Sequence, residues 1–268
     1  MTPASSVYVD FESDVRQSAL PEDPPLGTLY GIGVGPGDPE WITVKGLRLL
    51  QSVQVVAVPQ NRQGEPGLAF AIAQQYLRPH QTLITLKLPF TTNPAQLEAG
   101  WGQSMTTLMP HLRAGRNVAF LAEGDISFYS TFSHVARSAQ QREPGLTIET
   151  VPGVCAPLAA ASALNIPLSL WHEKVAILPA LYEVSELDHA LDWAEVVILM
   201  KVGSVFDLVW NCLSDRNLLD HACLVEWVGW PQQKTWVGWQ DLQGYKPPYF
   251  SVAIIKRELD SAPFPKNI

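Results

Sequence analysis

Short apolar runs alternate with longer amphipathic runs along much of this chain, from Thr28 to about Asn165. The strand-like runs are TLYGIGV, VQVVAVP, LITLKL, NVAFLAEGD and LTIETVPG. Apolar residues at helical spacing mark ITVKGLRLLQS, EPGLAFAIAQQYL, NPAQLEAGWGQSMTTLMPHLRAG, SFYSTFSHVARSAQQ and APLAAASALN. Because strands that alternate with helices pair in parallel, this pattern predicts a largely parallel sheet flanked by helices.

The pattern changes between residues 165 and 174. Beyond this point strand-like runs that contain tryptophan follow one another more closely, as in KVAILPA, AEVVILMKVG, ACLVEWVGW, KTWVGW and YFSVAIIK. They predict a second α/β domain with some antiparallel pairing. We therefore divide the chain into a flexible N-terminal extension (residues 1–25), an N-terminal α/β domain (26–168) and a C-terminal α/β domain (169–268).

The composition excludes several classes of protein. Hydrophobic residues make up 47% and charged residues 16%, which indicates a folded globular protein. The net charge of -8 argues against nucleic-acid binding, which needs basic patches. The cysteines Cys155, Cys212 and Cys223 form no CxxC pair and are expected to be reduced thiols of a cytoplasmic protein. We expect no signal peptide and no membrane helix, because no apolar run approaches the ~20 residues of a span.

Three glycine-containing loops each follow a predicted strand and precede a predicted helix. They are GVGPGD at residues 33–38, EGD at 123–125 and PG at 152–153. Since the carboxyl ends of parallel strands meet at one edge of a sheet, the three loops are expected to converge on one cleft. A single loop of this kind is equally well read as a plain strand-to-helix turn, with glycine at positive φ and proline opening the helix.

The first loop does not fit a phosphate-binding motif. The dinucleotide fingerprint GxGxxG would need a glycine at Pro36 or Asp38, and no GK[ST] completes a P-loop. The carboxylate of Asp38 would also repel a pyrophosphate. The loop therefore suits a ligand that is neutral or positively charged where it meets the protein.

The order of these motifs resembles the tetrapyrrole (corrin and porphyrin) methylase family. The resemblance rests on GxGPGD, then GD before a hydroxyl-rich helix start, then VPG followed by small residues, and it runs from about Thr28 to Lys256. The stretches VPQNRQGEPGLAFAIA, LAEGDISFYSTF, VILMKVG, LVEWVG and PYFSVAII are similar to the branch that methylates carbon 20 of precorrin-2 in cobalamin synthesis. The resemblance implies two α/β domains with the ligand cleft between them, and a homodimer.

The resemblance also implies S-adenosylmethionine as the methyl donor, whose sulfonium cation suits a pocket rich in carbonyls and carboxylates. Carried over motif by motif, the expected donor contacts are Pro36, Gly124, Asp125, Phe128, Cys155, Ala156, Lys201 and Val228. Lys201 and Val228 take positions that contact the donor through the backbone. For Asp125 the plain alternative is a helix cap. One departure from the family pattern is Ile126, where relatives usually have a proline that rigidifies the turn.

Methyl transfer from a sulfonium is an in-line displacement, so the protein contributes mainly proximity, alignment and removal of water. A proton must then leave the acceptor carbon, and the candidate general bases are Asp38, Glu123 and Tyr129. As alternatives, Glu123 is a surface loop carboxylate and Tyr129 an ordinary residue of a first helical turn.

A polycarboxylate acceptor needs local cations in an acidic protein. Candidates near predicted strand ends or loops are Arg62, Lys87, His172, Lys174 and Lys201, although each alone is more typical of a solvated surface charge. The histidines lack metal-ligand spacing, so no metal site is expected. The tryptophans at 227, 230, 236 and 239 are more typical of a core or a dimer interface than of a stacking platform.

Three functions remain open at this point. The first is a methyltransferase that uses S-adenosylmethionine and acts on precorrin-2 or its cobalt-containing counterpart. The second is a non-catalytic tetrapyrrole-binding or carrier protein, which Ile126 keeps open. The third is a tetrapyrrole methylase with a different acceptor, such as uroporphyrinogen or a modified translation-factor residue, and LMKVG at residues 199–203 speaks against it. The expected partner is a small-molecule tetrapyrrole, not a nucleic acid or a membrane.

Overall fold

The computed structural model describes residues 25–89, 93–179 and 183–257. The predicted N-terminal extension, residues 1–25, lies outside these ranges apart from Pro25. The described residues form two five-stranded sheets with helices packed against them, which confirms the predicted α/β class.

The first sheet is entirely parallel, as the alternation of strands and helices predicts. Its order is β3-β2-β4-β1-β5, so most strands that are consecutive in the chain are not neighbours in the sheet, and helices form the crossovers between them. The strands are β1 (Leu29–Gly33), β2 (Val55–Pro59), β3 (Thr82–Leu86), β4 (Val118–Ala122) and β5 (Ile148–Val151).

Helices cover both faces of this sheet and bury two apolar clusters against it. Side-chain caps mark two of their starts, because Thr43 accepts from the amide of Gly46 and Asn93 from that of Gln96. The helices are α1 (Val44–Ser52), α2 (Leu68–Ala73), α3 (Pro94–Arg113) and α4 (Phe132–Arg142).

The second sheet is mixed, with the antiparallel pairing that its closely spaced strands predict. Its order is β6-β7-β10-β8-β9, and only the β6–β7 pair is parallel. The strands are β6 (Val175–Leu178), β7 (Val196–Met200), β8 (Ala222–Glu226), β9 (Lys234–Val237) and β10 (Ser251–Lys256). The two α-helices of this half, α6 (Val184–Trp193) and α7 (Phe206–Asp215), bury their apolar faces with Trp239 in one cluster.

Helix α5 (Ala156–Ala163) joins the two halves. Its alanines pack against Val196 and Ile254 of the second sheet, although the sequence places this helix within the first predicted domain. The following segment is anchored by the buried Lys256, whose Nζ donates to the Pro167 carbonyl at 3.1 Å and pairs with Glu173 at 3.1 Å. The domain boundary at residue 168 lies in this anchored segment and stays a prediction.

The helix after the second loop begins later than the sequence predicts. Apolar spacing indicates a helix from Ser127, whereas α4 begins at Phe132. The reason is local, because Tyr129 has a φ of 52° and a left-handed residue cannot continue a right-handed helix. Residues 127–131 therefore remain a loop at the carboxyl end of β4.

Three glycines of the three loops pack backbone against backbone. A Cβ atom at Gly33 would lie 2.7 Å from the Gly124 carbonyl oxygen and 2.8 Å from the Gly153 nitrogen. A Cβ atom at Gly153 would lie 2.3 Å from the same Gly124 oxygen. Gly35 and Gly124 also exchange two backbone hydrogen bonds, of 3.1 and 2.8 Å. No side chain fits between these loops, so their close contact requires glycine.

The substitution Gly33→Ala is expected to lower the free energy of unfolding by about 2 to 3 kcal/mol, because its methyl group meets backbone atoms that cannot move aside. Urea denaturation measures this change. Gly145→Ala is the control, since a Cβ atom there would meet nothing within 4 Å. Equal stability of the two variants would contradict the packing argument.

Candidate active site

A cleft of about 270 Å³ opens between the two sheets. On one side it is bordered by loops at the carboxyl ends of the first sheet's strands. On the other side lie the segments that follow β7 and β8 and the segment that precedes β10. Because β10 runs antiparallel to β7 and β8, its beginning reaches the same edge as their ends.

Each residue expected to contact the methyl donor lines this cleft. The set is Pro36, Gly124, Asp125, Phe128, Cys155, Ala156, Lys201 and Val228. Of the first loop, however, only Pro36 reaches the cleft wall among residues 33–38. The structure therefore brings together residues from opposite ends of the chain, while their roles toward a ligand stay predictions.

Asp125 connects the second loop to the third. Its Oδ1 accepts from the amide and the hydroxyl of Ser127, at 2.8 and 2.5 Å, and its Oδ2 accepts from the Gly153 amide at 2.9 Å. Burial alone would raise the pKa of Asp125, but hydrogen bonds from Ser127, Gly153 and Phe128 outweigh it and hold that pKa below its ordinary value. The carboxylate is thus ionised and fixed in orientation.

Trp230 joins the first loop to the second half of the chain. Its indole N–H donates to the Pro36 carbonyl at 2.9 Å. The loops also mesh through glycine, because a Cβ atom at Gly37 would lie 2.3 Å from the Val228 carbonyl oxygen, and one at Gly229 would lie 2.6 Å from the Asp38 nitrogen. These contacts close one end of the cleft and fix the separation of its walls there.

Glu123 places a carboxylate in the cleft wall. Its side chain lines the cleft and is exposed there, while nearby protein atoms remove part of its hydration. This partial desolvation raises the pKa of Glu123 to about 7, although the positive charge of Lys201 acts in the opposite direction. A carboxyl group with a pKa in this range can accept a proton near neutral pH.

The other two candidate bases differ in position. Tyr129 borders the cleft, with 53% of its surface exposed and its ring edge-to-face with that of Phe128 at 4.6 Å. Asp38 does not line the cleft, and its Oδ1 caps the 3-10 turn Pro39–Trp41 by accepting from the amide of Glu40 at 2.9 Å. The geometry thus supports Glu123 and Tyr129 over Asp38 as groups that reach a ligand.

Cys155 contributes a neutral thiol to the cleft. Burial, together with the nearby charge of Asp125, raises the pKa of Cys155 to about 11. A thiol with so high a pKa stays protonated near neutral pH, and the thiolate is the nucleophilic form. Cys155 therefore acts as a small, weakly polar wall residue.

Of the five candidate cations, Lys201 alone lines the cleft, and Arg62, Lys87, His172 and Lys174 lie outside its lining. The Nζ of Lys201 lies 5.5 Å from the centre of the Tyr249 ring, within the range of a cation–π contact. Within the described ranges, no carboxylate forms an ion pair with it.

Three bulky residues of the cleft wall have a left-handed backbone. The φ angles of Tyr129, Lys201 and Trp227 are 52°, 58° and 49°. Tyr129 follows β4, while Lys201 and Trp227 come directly after β7 and β8. Left-handed conformations of non-glycine residues are uncommon and often occur at functional sites. Their position here makes this edge of both sheets the candidate for a functional site.

Sequence reasoning missed several aromatic residues of the cleft. Trp227 and Trp230 line it, whereas only Trp239 is fully buried in the core and Trp236 packs beside it. Tyr249 and Phe250 were missed as well, and the ring of Phe250 lies 4.7 Å from that of Trp227. The sequence could in principle have indicated both residues, because they directly precede β10, the central strand of the second sheet.

Two negative observations apply to the described ranges. Within them, no three His, Cys, Asp or Glu side chains come together in a group that could hold a metal ion. None of the helices in these ranges combines the length and the apolar character that crossing a membrane requires.

Comparison with known proteins identifies the class of protein to which this chain belongs. The family Tetrapyrrole (Corrin/Porphyrin) Methylases matches residues 28–239, and the chain belongs to this family. This confirms the resemblance inferred from the three loops.

Relatives of known name are similar over most of the chain. The cobalamin biosynthesis protein CobIJ of Mycobacterium tuberculosis is 35% identical over 85% of this chain, which matches 46% of that protein. The chain thus spans about half the length of this relative. The cobalt-precorrin-2 C(20)-methyltransferase of Salmonella typhimurium is 28% identical, over 88% of this chain and 99% of that protein. The precorrin-2 C(20)-methyltransferase of Sinorhizobium sp is 30% identical, over 86% and 95%.

Solved structures share the fold. A cobalt precorrin-4 methyltransferase matches with a TM-score of 0.67 and 23% identity, over 85% of this chain and 94% of that chain. The uroporphyrin-III C-methyltransferase of Thermus thermophilus, solved in complex with S-adenosylhomocysteine, matches with a TM-score of 0.60 and 20% identity, over 86% and 98%. At these identities the likeness concerns the fold.

The contacts of Asp125 predict a pH-dependent effect of Asp125→Asn. Asn has one acceptor oxygen where Asp has two, so it cannot accept from both Ser127 and Gly153, and we expect a loss of about 1 to 3 kcal/mol of unfolding free energy at neutral pH. Because the folded pKa of Asp125 is lowered, its stabilisation is complete above the unfolded value and is lost as the pH falls through the folded one.

Urea denaturation between about pH 7 and pH 2 measures this difference. The exposed Asp220→Asn is the matched control. A stability gap that persists unchanged at the acid end would contradict the role of the charged carboxylate.

Proposed function

We propose that this protein is a methyltransferase that uses S-adenosylmethionine and methylates carbon 20 of precorrin-2, or of its cobalt-containing form, in cobalamin biosynthesis. The observation that carries the proposal is the convergence of all expected donor contacts on one cleft. The names of two relatives that match over nearly their whole length support carbon 20 as the methylated position.

The cleft residues fit such a donor. S-adenosylmethionine supplies an activated methyl group on a sulfonium cation. The ionised Asp125 gives the cleft a carboxylate that suits a cation, and Glu123 adds a partial negative charge near neutral pH. The Cys155 thiol stays neutral. Leu88, Val225 and other apolar side chains provide dry walls, which strengthen electrostatic interactions and exclude water from the reacting atoms.

Glu123 is the general base that we propose for removing the proton from the methylated carbon. It lines the cleft, and its pKa of about 7 suits proton transfer at neutral pH. Tyr129 is the second candidate by position. Asp38 is the weakest of the three, because it lies outside the cleft lining and caps a turn.

A catalytic role is favoured over a non-catalytic carrier. Ile126, the departure that kept the carrier open, is 4% exposed and packs into the core of the first half. The loop around it keeps the hydrogen bonds of Asp125 without the usual proline. A different tetrapyrrole acceptor remains the alternative, supported by a precorrin-4 C(11)-methyltransferase of Pseudomonas aeruginosa that is 34% identical over 53% of the chain.

We further propose a homodimer in the cytoplasm, as the family resemblance and the sparse, unpaired cysteines suggest. Sedimentation equilibrium of the purified protein tests the dimer, and fractionation of the producing cells tests the location. A single monomeric species at micromolar concentration would contradict the first of these proposals.

The activity is tested by anaerobic incubation of the protein with precorrin-2 and S-adenosylmethionine labelled with carbon-13 in the methyl group. We expect a product that carries one labelled methyl group at carbon 20, located by NMR, and a parallel calorimetric titration with S-adenosylhomocysteine should show one-to-one binding. Uroporphyrinogen and precorrin-4 serve as competing acceptors. Labelling of another carbon or another acceptor would overturn the assignment, and absent donor binding would overturn the methyltransferase.

The substitution Glu123→Gln is expected to lower kcat by about 10²- to 10⁴-fold with little change in donor affinity, because it removes the proton acceptor and keeps the shape. For the wild type, kcat/KM, which reports the free enzyme, should fall as the pH drops below about 7, where Glu123 becomes protonated. Glu149→Gln, on an exposed strand position, is the control. An unchanged pH profile in the Gln variant would assign the base elsewhere.

A further inference from the structure

A second cavity, of about 480 Å³, lies beside the cleft. The two share Tyr129, Ser130, Thr131 and Lys201, so they meet along one wall. Other residues of the second cavity include Ser127 and Ser133. Its wall is therefore rich in hydroxyl groups and includes the one candidate cation that reaches the cleft.

Two of the shared hydroxyl groups are available as hydrogen-bond donors. The Oγ of Ser130 accepts from the Phe132 amide at 3.2 Å, which leaves its own hydrogen for another acceptor. Thr131 stands at the N-cap of α4, and its side chain makes no capping hydrogen bond. Within the described ranges, neither hydroxyl hydrogen is donated to a protein acceptor.

Lys201 is held in a defined place beside these hydroxyls. Its amide donates to the Ser251 carbonyl at 3.1 Å, which fixes a main chain that already has a φ of 58°. Its ammonium contacts the ring of Tyr249 and has no carboxylate within ion-pair distance in the described part of the chain. A cation that is not engaged in an ion pair, although Glu123 is close enough to feel its charge, is suited at this junction of two cavities to an anionic ligand.

We propose that the Lys201 ammonium and the hydroxyls of Ser130 and Thr131 form a subsite that binds a carboxylate of the acceptor. The proposal rests on the proposed function, because a tetrapyrrole acceptor carries acid side chains around a flat ring. The ring lies in the cleft, one acid side chain enters the second cavity, and Tyr129 stands between them. Charge-assisted hydrogen bonds from an ammonium and hydroxyls are the strong kind that a carboxylate accepts.

This subsite would also account for how an acidic protein binds an acidic substrate. The net charge of -8 repels a polycarboxylate at long range. One cation at the junction of the two cavities replaces this repulsion by a local attraction. It also sets which side chain of an asymmetric ring enters the second cavity. Ring orientation then determines which carbon faces the donor, so Lys201 is a specificity-determining residue.

The test compares Lys201→Met and Lys201→Arg with Lys45→Met, which removes the same charge from an exposed position of α1. The probe is uroporphyrin III, a stable tetrapyrrole polycarboxylate, titrated by fluorescence in the presence of S-adenosylhomocysteine. The KM for precorrin-2 and the calorimetric Kd of S-adenosylhomocysteine are measured on the same proteins. Thr131→Val tests the hydroxyl separately.

For Lys201→Met we expect the porphyrin Kd and the precorrin-2 KM to rise by about 10- to 100-fold. The Kd of S-adenosylhomocysteine should change less than about twofold, because the expected donor contact at Lys201 is made by its main chain, which the substitution keeps. Lys201→Arg should keep most of the affinity, and Thr131→Val should weaken porphyrin binding by about 3- to 10-fold. The salt dependence of porphyrin binding should become shallower in the Met variant.

The outcomes separate this proposal from the proposed function. Porphyrin binding that depends on Lys201 in a protein that transfers no methyl group would support the subsite and overturn the activity. Methylation of precorrin-2 with the same KM and the same porphyrin Kd in Lys201→Met and Lys45→Met would overturn the subsite and leave the activity intact. An equal loss of donor and porphyrin binding would assign Lys201 to the donor and also overturn the subsite.

Discussion

The contact of Gly33, Gly124 and Gly153 is the constraint on which the site depends. These glycines lie at or just after the carboxyl ends of β1, β4 and β5. Their main chains approach one another more closely than any side chain would allow. The carboxylate of Asp125 also holds the second loop against the third by accepting a hydrogen bond from the Gly153 amide. Because the loops hold one another, the residues that follow each of them reach the cleft from a rigid base.

The same principle joins the two halves of the chain. The Gly37 and Gly229 backbones lie against the opposite loop, and the Trp230 indole donates to the Pro36 carbonyl. Most glycines of the first loop therefore approach protein rather than ligand, although the sequence suggested a ligand. A glycine-rich loop indicates that something comes close to the backbone, and only the assembled structure decides whether that is another loop or a small molecule.

The sequence predicts much of this architecture because the relevant signals are local. Apolar periodicity predicts the strands of both sheets, and the strand-to-loop order predicts convergence at one edge. The family motifs place Asp125, Lys201 and Val228 on one cleft even though they are far apart in the chain.

What the sequence does not predict depends on distant contacts or on backbone strain. The left-handed conformation of Tyr129 delays the start of α4 to Phe132. The conformational preferences of tyrosine do not predict this conformation. The sequence predicts Trp227 and Trp230 to be residues of the core or of a dimer interface. In the structure they follow β8, beside the start of the antiparallel β10, and line the cleft. The alanines of α5 follow the first sheet in sequence but pack on the second sheet. The segment after α5 is anchored to β10 of that sheet, because the Lys256 ammonium donates to the Pro167 carbonyl.

The opposed effects on Glu123 connect acceptor binding to proton removal. Burial raises the pKa of Glu123, while the charge of Lys201 lowers it. In the proposed complex a carboxylate of the acceptor pairs with Lys201 and cancels part of that charge, so Glu123 becomes a stronger base when the acceptor is present. The left-handed backbone of Lys201, at a cost of about 1 to 3 kcal/mol, lies directly after β7 and sets the direction in which this side chain leaves the main chain.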